Sequence, residues 1–501
     1  MKYDVAILGA GIAGLSTAAR LAARGKSTIV LEAHGQVGGC AGFFEKRGFR
    51  FDVGATTLVD FGPEGVGGEL LREIGASLEA EVLPGYQAHL PDRQIQLHRD
   101  PVAWRIERKR LGDTPRHQRL WAFLDHMATV FWEASRNGVA LPIRSLSDLL
   151  RAARNTPVAG WPLGRYLGAT LGDRLRDFGL REEAPLCGLL SMLVEDTVHA
   201  SLDEAPLVNA ALGITIRGAG LSRPRGGMWG FWQTMQRAYL GLGGVLRRGC
   251  RVQGLRGRRG DFRIHTNRGE FEAETIVSAL PLPVTGRLSP ELSAALDPYL
   301  LRDQDRLGGA IVMFLGVPED ELDGQTYTHH QVLEDYRAPL GDGNNMFIST
   351  SSPGDSASAP LGHRAVMIST HTRLAPWQDL PAEDYEAKKA AIGRHLLRVA
   401  QTVYPRLGHR PVVFEIGTPR TYERFTGRPQ GAVGGTRLSP RNANQHAVPH
   451  DLGIPGLWVV GDGTWPGLGT VAGVLASRIV ADRISRVAQV PLATRALEGA
   501  L

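Results

Sequence analysis

The amino-acid sequence predicts an α/β fold with a parallel sheet, divided into two or more domains. The chain has 501 residues, which is more than one ordinary hydrophobic core organises. Residues 3–8 are a short apolar run, typical of a buried parallel strand, and a glycine-rich turn and an apolar helical stripe follow directly. A second apolar run, residues 457–460, also leads into a glycine turn and then a helical pattern.

The composition is that of a globular protein with a mildly basic balance. Apolar residues make up 43% of the chain and charged residues 22%, and the net charge is +6. This charge suits a phosphate-bearing cofactor or an anionic membrane surface, and it gives no reason to expect nucleic acid as a partner. Three scattered cysteines, Cys40, Cys187 and Cys250, form no disulfide or metal pattern and indicate a reducing, cytosolic compartment. No uninterrupted apolar run is long enough for a membrane-spanning helix.

The first 32 residues carry a dinucleotide-binding fingerprint in its required context. Gly9 allows a tight turn after the strand, Gly11 lets the backbone approach a pyrophosphate, and Gly14 lets helix and strand pack closely. The helix ends at Gly25, and a second strand at residues 28–31 leads to Glu32, where an acid that binds ribose is expected. The pattern predicts a Rossmann-type unit.

The stretch GGCAGFFEKRGFRFDVGAT, residues 38–56, favours FAD over NAD as the dinucleotide. Gly38 and Gly39 allow the chain to pass beside the same pyrophosphate or ribose. Residues 43–45 and 49–53 alternate around a Lys-Arg-Gly turn and predict a hairpin. The small residues 54–56 then suit backbone that lies against a flat ring.

Two later blocks again combine predicted strands, glycine-rich turns and helices. A glycine loop at residues 224–227 opens an aromatic-rich helix, and strands are predicted around Val252, at 262–266 and at 275–279, with a turn at 267–269. Near the C-terminus, Asp462 lies in a glycine turn, where its carboxylate could accept hydrogen bonds from hydroxyl groups. The helix predicted over 471–487 begins near Thr470, where its N-terminus would stabilise negative charge on a reduced ring.

The intervening segments are less informative. Apolar helical faces are predicted at 120–131 and 171–178, a surface loop is predicted at 341–362, and no metal-ligand spacing is found. Residues 93–119 are rich in arginine among acidic residues, which indicates a solvated helical face, with contact to a membrane as the alternative.

Taken together, the blocks GAGIAGLS, LEAHGQVGGCAGFFEKRGFRFDVGAT, PRGGMWGFWQTM, EIGTPRTYERFTGRPQGAVGG and LWVVGDGTWPGLGT resemble the FAD-dependent carotenoid desaturase and isomerase family (phytoene-desaturase-like). This family lies within the wider amine-oxidase-like (GR2) flavoprotein group. The last two blocks look most like bacterial carotenoid 3',4'-desaturases and slightly less like carotene cis-trans isomerases. The family usually has a small residue at or near Arg478.

The resemblance implies a Rossmann-type FAD-binding domain interleaved with a mixed α+β substrate domain. The FAD-binding parts would be 1–90, 223–290 and 440–501, and the substrate domain would take 91–222 and 291–439. The candidate FAD contacts are Gly9, Gly11, Ile12, Ala13, Gly14, Glu32, Ala33, Gly38, Gly39, Cys40, Gly54, Ala55, Thr56, Val252, Gly461, Asp462, Gly469, Thr470 and Val471. No histidine or carboxylate stands out as a catalytic group, and no metal is expected.

The resemblance further implies desaturation of an acyclic or hydroxylated carotenoid, at C-3',4', as the first hypothesis. Carotene cis-trans isomerisation and phytoene desaturation are the alternatives within the family. A flavin amine oxidase and a non-catalytic carotenoid carrier are alternatives outside it. The expected partners are a lipophilic polyene and, peripherally, a membrane, with a cytoplasmic location and a quinone or oxygen as possible electron acceptor.

Overall fold

A computed structural model describes residues 2–216 and 220–485. Its strands are β1 (Lys2–Leu8), β2 (Thr28–Glu32), β3 (Phe43–Lys46), β4 (Phe49–Asp52), β5 (Leu58–Val59), β6 (Ala80–Val82), β7 (Gly85–His89), β8 (Gln94–His98), β9 (Leu221–Pro224), β10 (Val245–Arg248), β11 (Val252–Arg258), β12 (Asp261–Thr266), β13 (Gly269–Ser278), β14 (Gly309–Pro318), β15 (His329–Leu333), β16 (Asn345–Thr350), β17 (His363–Thr372), β18 (Val413–Gly417) and β19 (Leu457–Val459). Its α-helices are α1 (Ile12–Ala23), α2 (Val66–Glu73), α3 (Pro101–Glu107), α4 (Pro115–Arg136), α5 (Leu146–Asn155), α6 (Leu171–Asp177), α7 (Ala184–Val198), α8 (Leu207–Thr215), α9 (Gly227–Gly241), α10 (Leu282–Gly286), α11 (Pro290–Asp303), α12 (Ala382–Ala400), α13 (Pro419–Thr426) and α14 (Thr470–Ser485).

The first sheet is built around the parallel pair β1 and β13. Its strand order is β10-β2-β1-β13-β12-β11, and β19 pairs with the carboxyl end of β13. In this sheet Val5 lies opposite Thr28 on one side and Thr275 on the other. The predicted strands of the first, middle and last blocks are thereby confirmed, and so is the α/β class with a Rossmann-type unit.

Helix α1 packs against this sheet through the face that the sequence predicts. Leu15, Ala18 and Ala19 are fully buried, and α1 contacts the C-terminal helix α14 along its length. The close approach depends on Gly14, because a Cβ at that position would overlap the carbonyl oxygen of Gly9. The predicted C-terminal helix is confirmed from Thr470 to Ser485, and its last two predicted residues, 486 and 487, lie outside the described residues.

The second sheet is mostly antiparallel and comes from other parts of the chain. Its order is β18-β14-β17-β16-β15-β7-β8, in which β15 and β7 run parallel. One face packs on helix α12, where Met313, Leu315 and Ile368 meet Leu396. Helices α4, α6, α7 and α8 contribute to a separate, larger core that continues to α1 and α9.

The surface loop predicted at 341–362 is wrong in part, because strand β16 lies inside it. Met346 and Ile348 of β16 are buried, and β16 pairs with both β15 and β17. The flanking glycine, serine and proline residues dominate the composition of the segment. The conformation of the short apolar stretch that forms β16 is decided by its pairing with the neighbouring strands β15 and β17.

The predicted hairpin, β3 and β4, reaches from the first sheet toward the second. The rings of Phe44 and Phe51 stack with centroids 5.0 Å apart, and Phe314 of β14 meets the Phe44 ring edge-on at 4.8 Å. The hairpin therefore ties the region of the glycine loops to the second sheet.

The predicted domain boundaries remain a prediction. Strand β7 (Gly85–His89) belongs to the second sheet, although it precedes the proposed boundary at residue 90. Helix α9 and strands β10 to β13, all within 223–290, pack with the first sheet.

Arg478, the departure from the family pattern, is part of a buried charge network. Its guanidinium donates to Glu69 Oε2 at 2.8 Å and to the backbone oxygen atoms of Ser135 and Arg136. Arg20, which is also buried, forms ion pairs with Glu69 and Glu73. Arg478 thus fastens α14 to α2 and to the end of α4, on the side of the helix that faces the protein interior.

Buried histidines predict a loss of stability in mild acid. Burial lowers the pKa of His89 and His450 to about 4 and that of His330 to about 3, from an ordinary value of 6.5. Below pH ~6.5 the unfolded chain binds protons that the folded protein does not, so the free energy of unfolding should fall as the pH drops from about 6.5 to about 4. Urea denaturation at several pH values checks this. The His89→Gln variant should show a shallower dependence, and identical slopes would contradict the assignment.

Candidate functional site

One large cavity, of about 1230 Å³, runs from the glycine loops at the carboxyl ends of the first sheet to the second sheet. Its lining includes every candidate cofactor contact named from the sequence, from Gly9 through Val252 to Val471. Ligands of open α/β sheets bind at this edge, where the strands end and the helices begin. The role of these candidate residues as FAD contacts stays a prediction, but the fold brings all of them to one cavity.

The glycine loops form a cradle at one end of the cavity. Gly9 has φ +98°, and the amide of Gly38 donates to the carbonyl of Ala10 at 3.0 Å, which holds the second glycine loop against the first. At Gly11 the backbone has an ordinary φ of −73°, and a Cβ built there would meet no protein atom within 4 Å. Contacts within the protein therefore do not require glycine at position 11. A ligand that binds close to the backbone there would require it, because a side chain would occupy the ligand's space.

Glu32 helps to build the cradle. Its Oε2 accepts a hydrogen bond from the amide of Ala10 at 2.7 Å, and its Oε1 accepts one from the amide of His34 at 2.7 Å. Its carboxylate lines the cavity next to Ala33, and Val252 lines the same cavity from β11. Glu32 thus orders the turn and leaves its remaining lone pairs for a ribose hydroxyl.

Residues 54–56 and Cys40 form the next part of the wall. A Cβ at Gly54 would overlap the carbonyl oxygen of Cys40, so glycine is required here by the protein as well. Burial raises the pKa of the Cys40 thiol, which keeps it protonated. Thr56 Oγ1 lies 3.3 Å from His329 Nε2, and this contact fixes the end of the segment on the second sheet.

Asp462 has a partner that the sequence reasoning missed. Nη2 of Arg428 donates to Asp462 Oδ2 at 2.6 Å, and both residues line the cavity. Arg428 belongs to the block EIGTPRTYERFTGRPQGAVGG, but nothing in its local sequence points to a residue 34 positions later. The ion pair places one positive and one negative group where the loop before α14 meets α13.

Asp462→Ala is expected to weaken FAD binding, because a ribityl hydroxyl would lose its half-buried acceptor at a cost of about 1 to 3 kcal/mol. Titration of the apoprotein with FAD, followed by flavin fluorescence, measures the change. Arg428→Ala removes the same ion pair and leaves the carboxylate in place. Equal losses in both variants would assign the effect to the ion pair and would contradict a direct contact of Asp462 with the cofactor.

The far end of the cavity is largely apolar. Its wall is contributed by β7, α7, β14 and β16–β17, with the side chains of Tyr86, Leu193, Val312, Met346 and Phe347. These side chains offer apolar surface to a lipophilic molecule, and polar residues line the same region: Asp196, Thr197, Asn345, Ser369 and Thr370.

Two histidines stand among the polar residues of this wall, and one of them is paired with a glutamate behind it. The rings of His199 and His371 lie with centroids 4.5 Å apart, and both residues line the cavity. Nδ1 of His371 is 3.6 Å from Oε1 of Glu195. His199 has φ +54°, and burial lowers its pKa well below the ordinary value, so its imidazole is neutral. We call these three residues the His199–His371–Glu195 cluster.

The cluster lies next to the loop at Gly434 and Gly435, which in turn contacts the backbone of Asp462. A Cβ at Gly434 would overlap the His199 ring, and a Cβ at the neighbouring Gly435 would lie 2.6 Å from the carbonyl oxygen of Asp462. Sequence reasoning missed this cluster because His199, which follows α7, and His371 of β17 are far apart in the chain, and no local spacing connects them.

No metal centre is found among residues 2–216 and 220–485, where no three histidine, cysteine or acidic side chains come together in a suitable arrangement. In the same part of the chain, no helix is both long and apolar enough to cross a membrane.

Comparison with known proteins agrees with this architecture. The family of NAD(P)-binding Rossmann-like domains matches residues 7–74. A chloroplastic prolycopene isomerase of Oncidium is 28% identical over 97% of this chain and 84% of its own. The lycopene-forming phytoene desaturase of Pantoea ananas is 25% identical over 94% of this chain and 96% of its own.

Over nearly its whole length the chain is similar, at 24–28% identity, to members of the carotenoid desaturase and isomerase family. Solved structures of lower identity show the same fold. An oxidoreductase from Methanosarcina mazei superimposes with a TM-score of 0.64 at 18% identity, covering 96% of this chain and 100% of its own. A putrescine oxidase bound to putrescine superimposes with a TM-score of 0.63 at 16% identity, covering 97% and 99%.

The site fits FAD. The Rossmann-like unit supplies a dinucleotide cradle, and the open space at Gly11 is where the pyrophosphate is predicted to lie, so that a side chain there would displace it. The cavity then continues past Asp462 and the N-terminus of α14, which leaves room for a flavin ring and for a second molecule beyond it. The fold is thus that of an FAD-type oxidoreductase.

Proposed function

We propose that the chain is an FAD-dependent carotenoid desaturase that introduces a double bond into an acyclic or hydroxylated carotenoid, at C-3',4'. The observation that carries the proposal is the single cavity in which the dinucleotide cradle meets an apolar wall. A polyene in the apolar part would lie end-on to the region of Asp462 and Gly469–Val471. Residues 1–90, 223–290 and 440–501 would hold the cofactor, and the remaining two segments would hold the substrate.

The protein's contribution is mainly to position the substrate and to exclude water. FAD, when bound, supplies the acceptor for the hydride that leaves one allylic carbon. The neighbouring carbon must then lose a proton. The apolar wall around Leu193 and Phe347 keeps water away from the polyene, so the proton needs an acceptor within the protein.

We infer that His371 is this acceptor. Its imidazole lines the cavity, and the Glu195 carboxylate, 3.6 Å from Nδ1, stabilises the positive charge that forms when the ring accepts a proton. The neutral ring of His199 packs against it and adds no competing charge.

Carotene cis-trans isomerisation is the second candidate. Prolycopene isomerases from Daucus carota and Oncidium match 97% of this chain at 26% and 28% identity. An isomerase changes geometry without net oxidation, so its substrate and product have the same mass.

An anaerobic half-reaction separates the two candidates. Oxidised holoenzyme is mixed with an acyclic carotenoid, and flavin absorbance and product mass are followed together. We expect bleaching of the flavin with loss of two hydrogens from the polyene. A product of unchanged mass, formed after chemical reduction of the flavin, would overturn desaturation in favour of isomerisation, and bleaching by amines alone would indicate an amine oxidase. Pigment that binds without bleaching or chemical change would indicate a carrier.

We further propose that the protein works in the cytoplasm as a peripheral membrane protein, because its substrate dissolves in lipid. Electrons would leave the reduced flavin for a quinone or for oxygen. Reoxidation of the reduced enzyme by each acceptor in turn tests this choice.

A further inference from the structure

An unusual surface lies outside the cavity, on helix α5 and the 3₁₀ segment Val158–Tyr166 that follows it. Five large apolar side chains are exposed here: Leu146 (71% exposed), Leu149 (49%), Leu150 (63%), Val158 (81%) and Trp161 (61%). A soluble protein rarely leaves so many large apolar groups together in contact with water. We call residues 144–165 the α5 surface.

The apolar groups of α5 form a stripe on its outer side. Leu146, Leu149, Leu150 and Ala153 are exposed and recur at the three- and four-residue spacing of one helix face. Asp148, Ala152 and Asn155 lie on the opposite side and are half-buried. The helix therefore presents its apolar face to solvent and its more polar face to the protein, the reverse of an ordinary surface helix.

The charges of the α5 surface are almost all positive. Four arginines are exposed: Arg144, Arg151, Arg154 and Arg165. The single acidic residue of the segment, Asp148, accepts from the amide of Arg144 and pairs with Arg483 of α14. The solvent-exposed side of the α5 surface thus combines aliphatic groups, one tryptophan and guanidinium groups that no acidic residue of the segment neutralises.

We propose that the α5 surface is the site at which the protein docks on an anionic lipid bilayer. Aliphatic groups and tryptophan suit the boundary between headgroups and acyl chains, and arginines beside them attract anionic headgroups. A second copy of the chain is a poorer occupant, because an isologous contact would bring four arginines of each copy against those of the other. The proposal deepens the membrane contact proposed above and rests on it.

The basic segment 93–119, considered from the sequence as a membrane contact, fits less well. Helix α3 exposes Val102 and Ile106, but four of the eight basic groups of the segment are already engaged in ion pairs. Ion pairs join Arg93 to Asp92, Arg108 to Asp125, Lys109 to Asp113 and Arg110 to Glu107. The solvated-face interpretation of this segment is the better one.

Flotation of the flavin-loaded protein with vesicles tests the proposal. Vesicles of equal parts phosphatidylglycerol and phosphatidylcholine are compared with vesicles of phosphatidylcholine alone, without carotenoid. We expect the Leu149→Asp/Leu150→Asp variant to lose at least about tenfold in partitioning to the anionic vesicles. Arg151→Gln/Arg154→Gln should lose binding mainly to the anionic vesicles and should show a weaker salt dependence than the unsubstituted protein.

Three controls make the result decisive. Leu361→Asp replaces an apolar residue that is 93% exposed elsewhere and should bind as the unsubstituted protein does. Trp161 fluorescence should be quenched by brominated lipid, measured as the difference from Trp161→Phe. All variants should keep their FAD and their activity on detergent-dispersed carotenoid, because no residue of the α5 surface lines the cavity.

The possible outcomes are distinct. If the unsubstituted protein binds no vesicles, the membrane contact itself is wrong. If the protein binds vesicles but binding survives in the α5 variants and is lost in Val102→Asp/Ile106→Asp, the contact is right and the surface is wrong. A dimer in solution that the α5 substitutions convert to monomer would identify a second copy as the occupant and would also overturn the proposal.

Discussion

Replacing Gly11 by valine is expected to abolish FAD binding while the protein remains folded. The Cβ of residue 11 would meet no protein atom within 4 Å, and φ at this position is ordinary, so the side chain fits the protein. It would, however, occupy the space into which a pyrophosphate must come. We expect a loss of about a hundredfold in FAD affinity, which corresponds to about 2.7 kcal/mol. Flavin content after purification and circular dichroism measure the two effects separately.

Two other glycines serve as matched comparisons. A Cβ at Gly35 also meets no protein atom, but Gly35 does not line the cavity, so Gly35→Val should retain its flavin. Gly14→Val should lose flavin and fold together, since its side chain would overlap the backbone of Gly9. A Gly11→Val protein with a full complement of FAD would show that the pyrophosphate lies elsewhere.

Replacing His371 by glutamine is expected to slow reduction of the flavin by carotenoid about a hundredfold, because the amide does not accept a proton. FAD content should be unchanged, since His371 lies on the second sheet and away from the glycine cradle. Stopped-flow measurement of flavin bleaching, together with the flavin content of each preparation, checks both effects.

His395 provides the matched control for this substitution. Its Nε2 lies 2.9 Å from Glu334 Oε2, so it is also a histidine paired with a glutamate, but it does not line the cavity. His395→Gln should therefore leave the rate unchanged. A His371→Gln enzyme that is reduced by carotenoid at the rate of the unsubstituted enzyme would remove His371 from the chemistry.

The fold was predictable from the sequence where the pattern is local. A strand, a glycine turn and a helix lie within some 20 residues at the start of the chain, and their backbone requirements are visible in the residue types themselves. Gly9, Gly14 and the hairpin residues Phe44 and Phe51 lie where that pattern places them. The last block, around Asp462, was predictable for the same reason.

The rest depends on residues that meet only in the folded protein. Arg428 and Asp462, like His199 and His371, come from separate elements, and no sequence spacing encodes their distances. Strand β16 is stabilised by its pairing with β15 and β17, which no local pattern in its sequence indicates. The apolar stripe of α5 has the same spacing as a buried helix face, and only the structure shows that it faces solvent.

The position of β13 between β1 and β19 has a consequence for how the protein is made. Strand β1 is synthesised some 270 residues before its partner β13, and β19 follows after the whole second sheet. Before β13 is synthesised, the apolar residues of β1 can pair only with strand β2. Helix α1 likewise lacks its packing partner until α14 has been synthesised. Contacts of such long sequence separation form slowly. The glycine cradle is complete only when these distant strands have joined the sheet, so we expect FAD to bind late in folding.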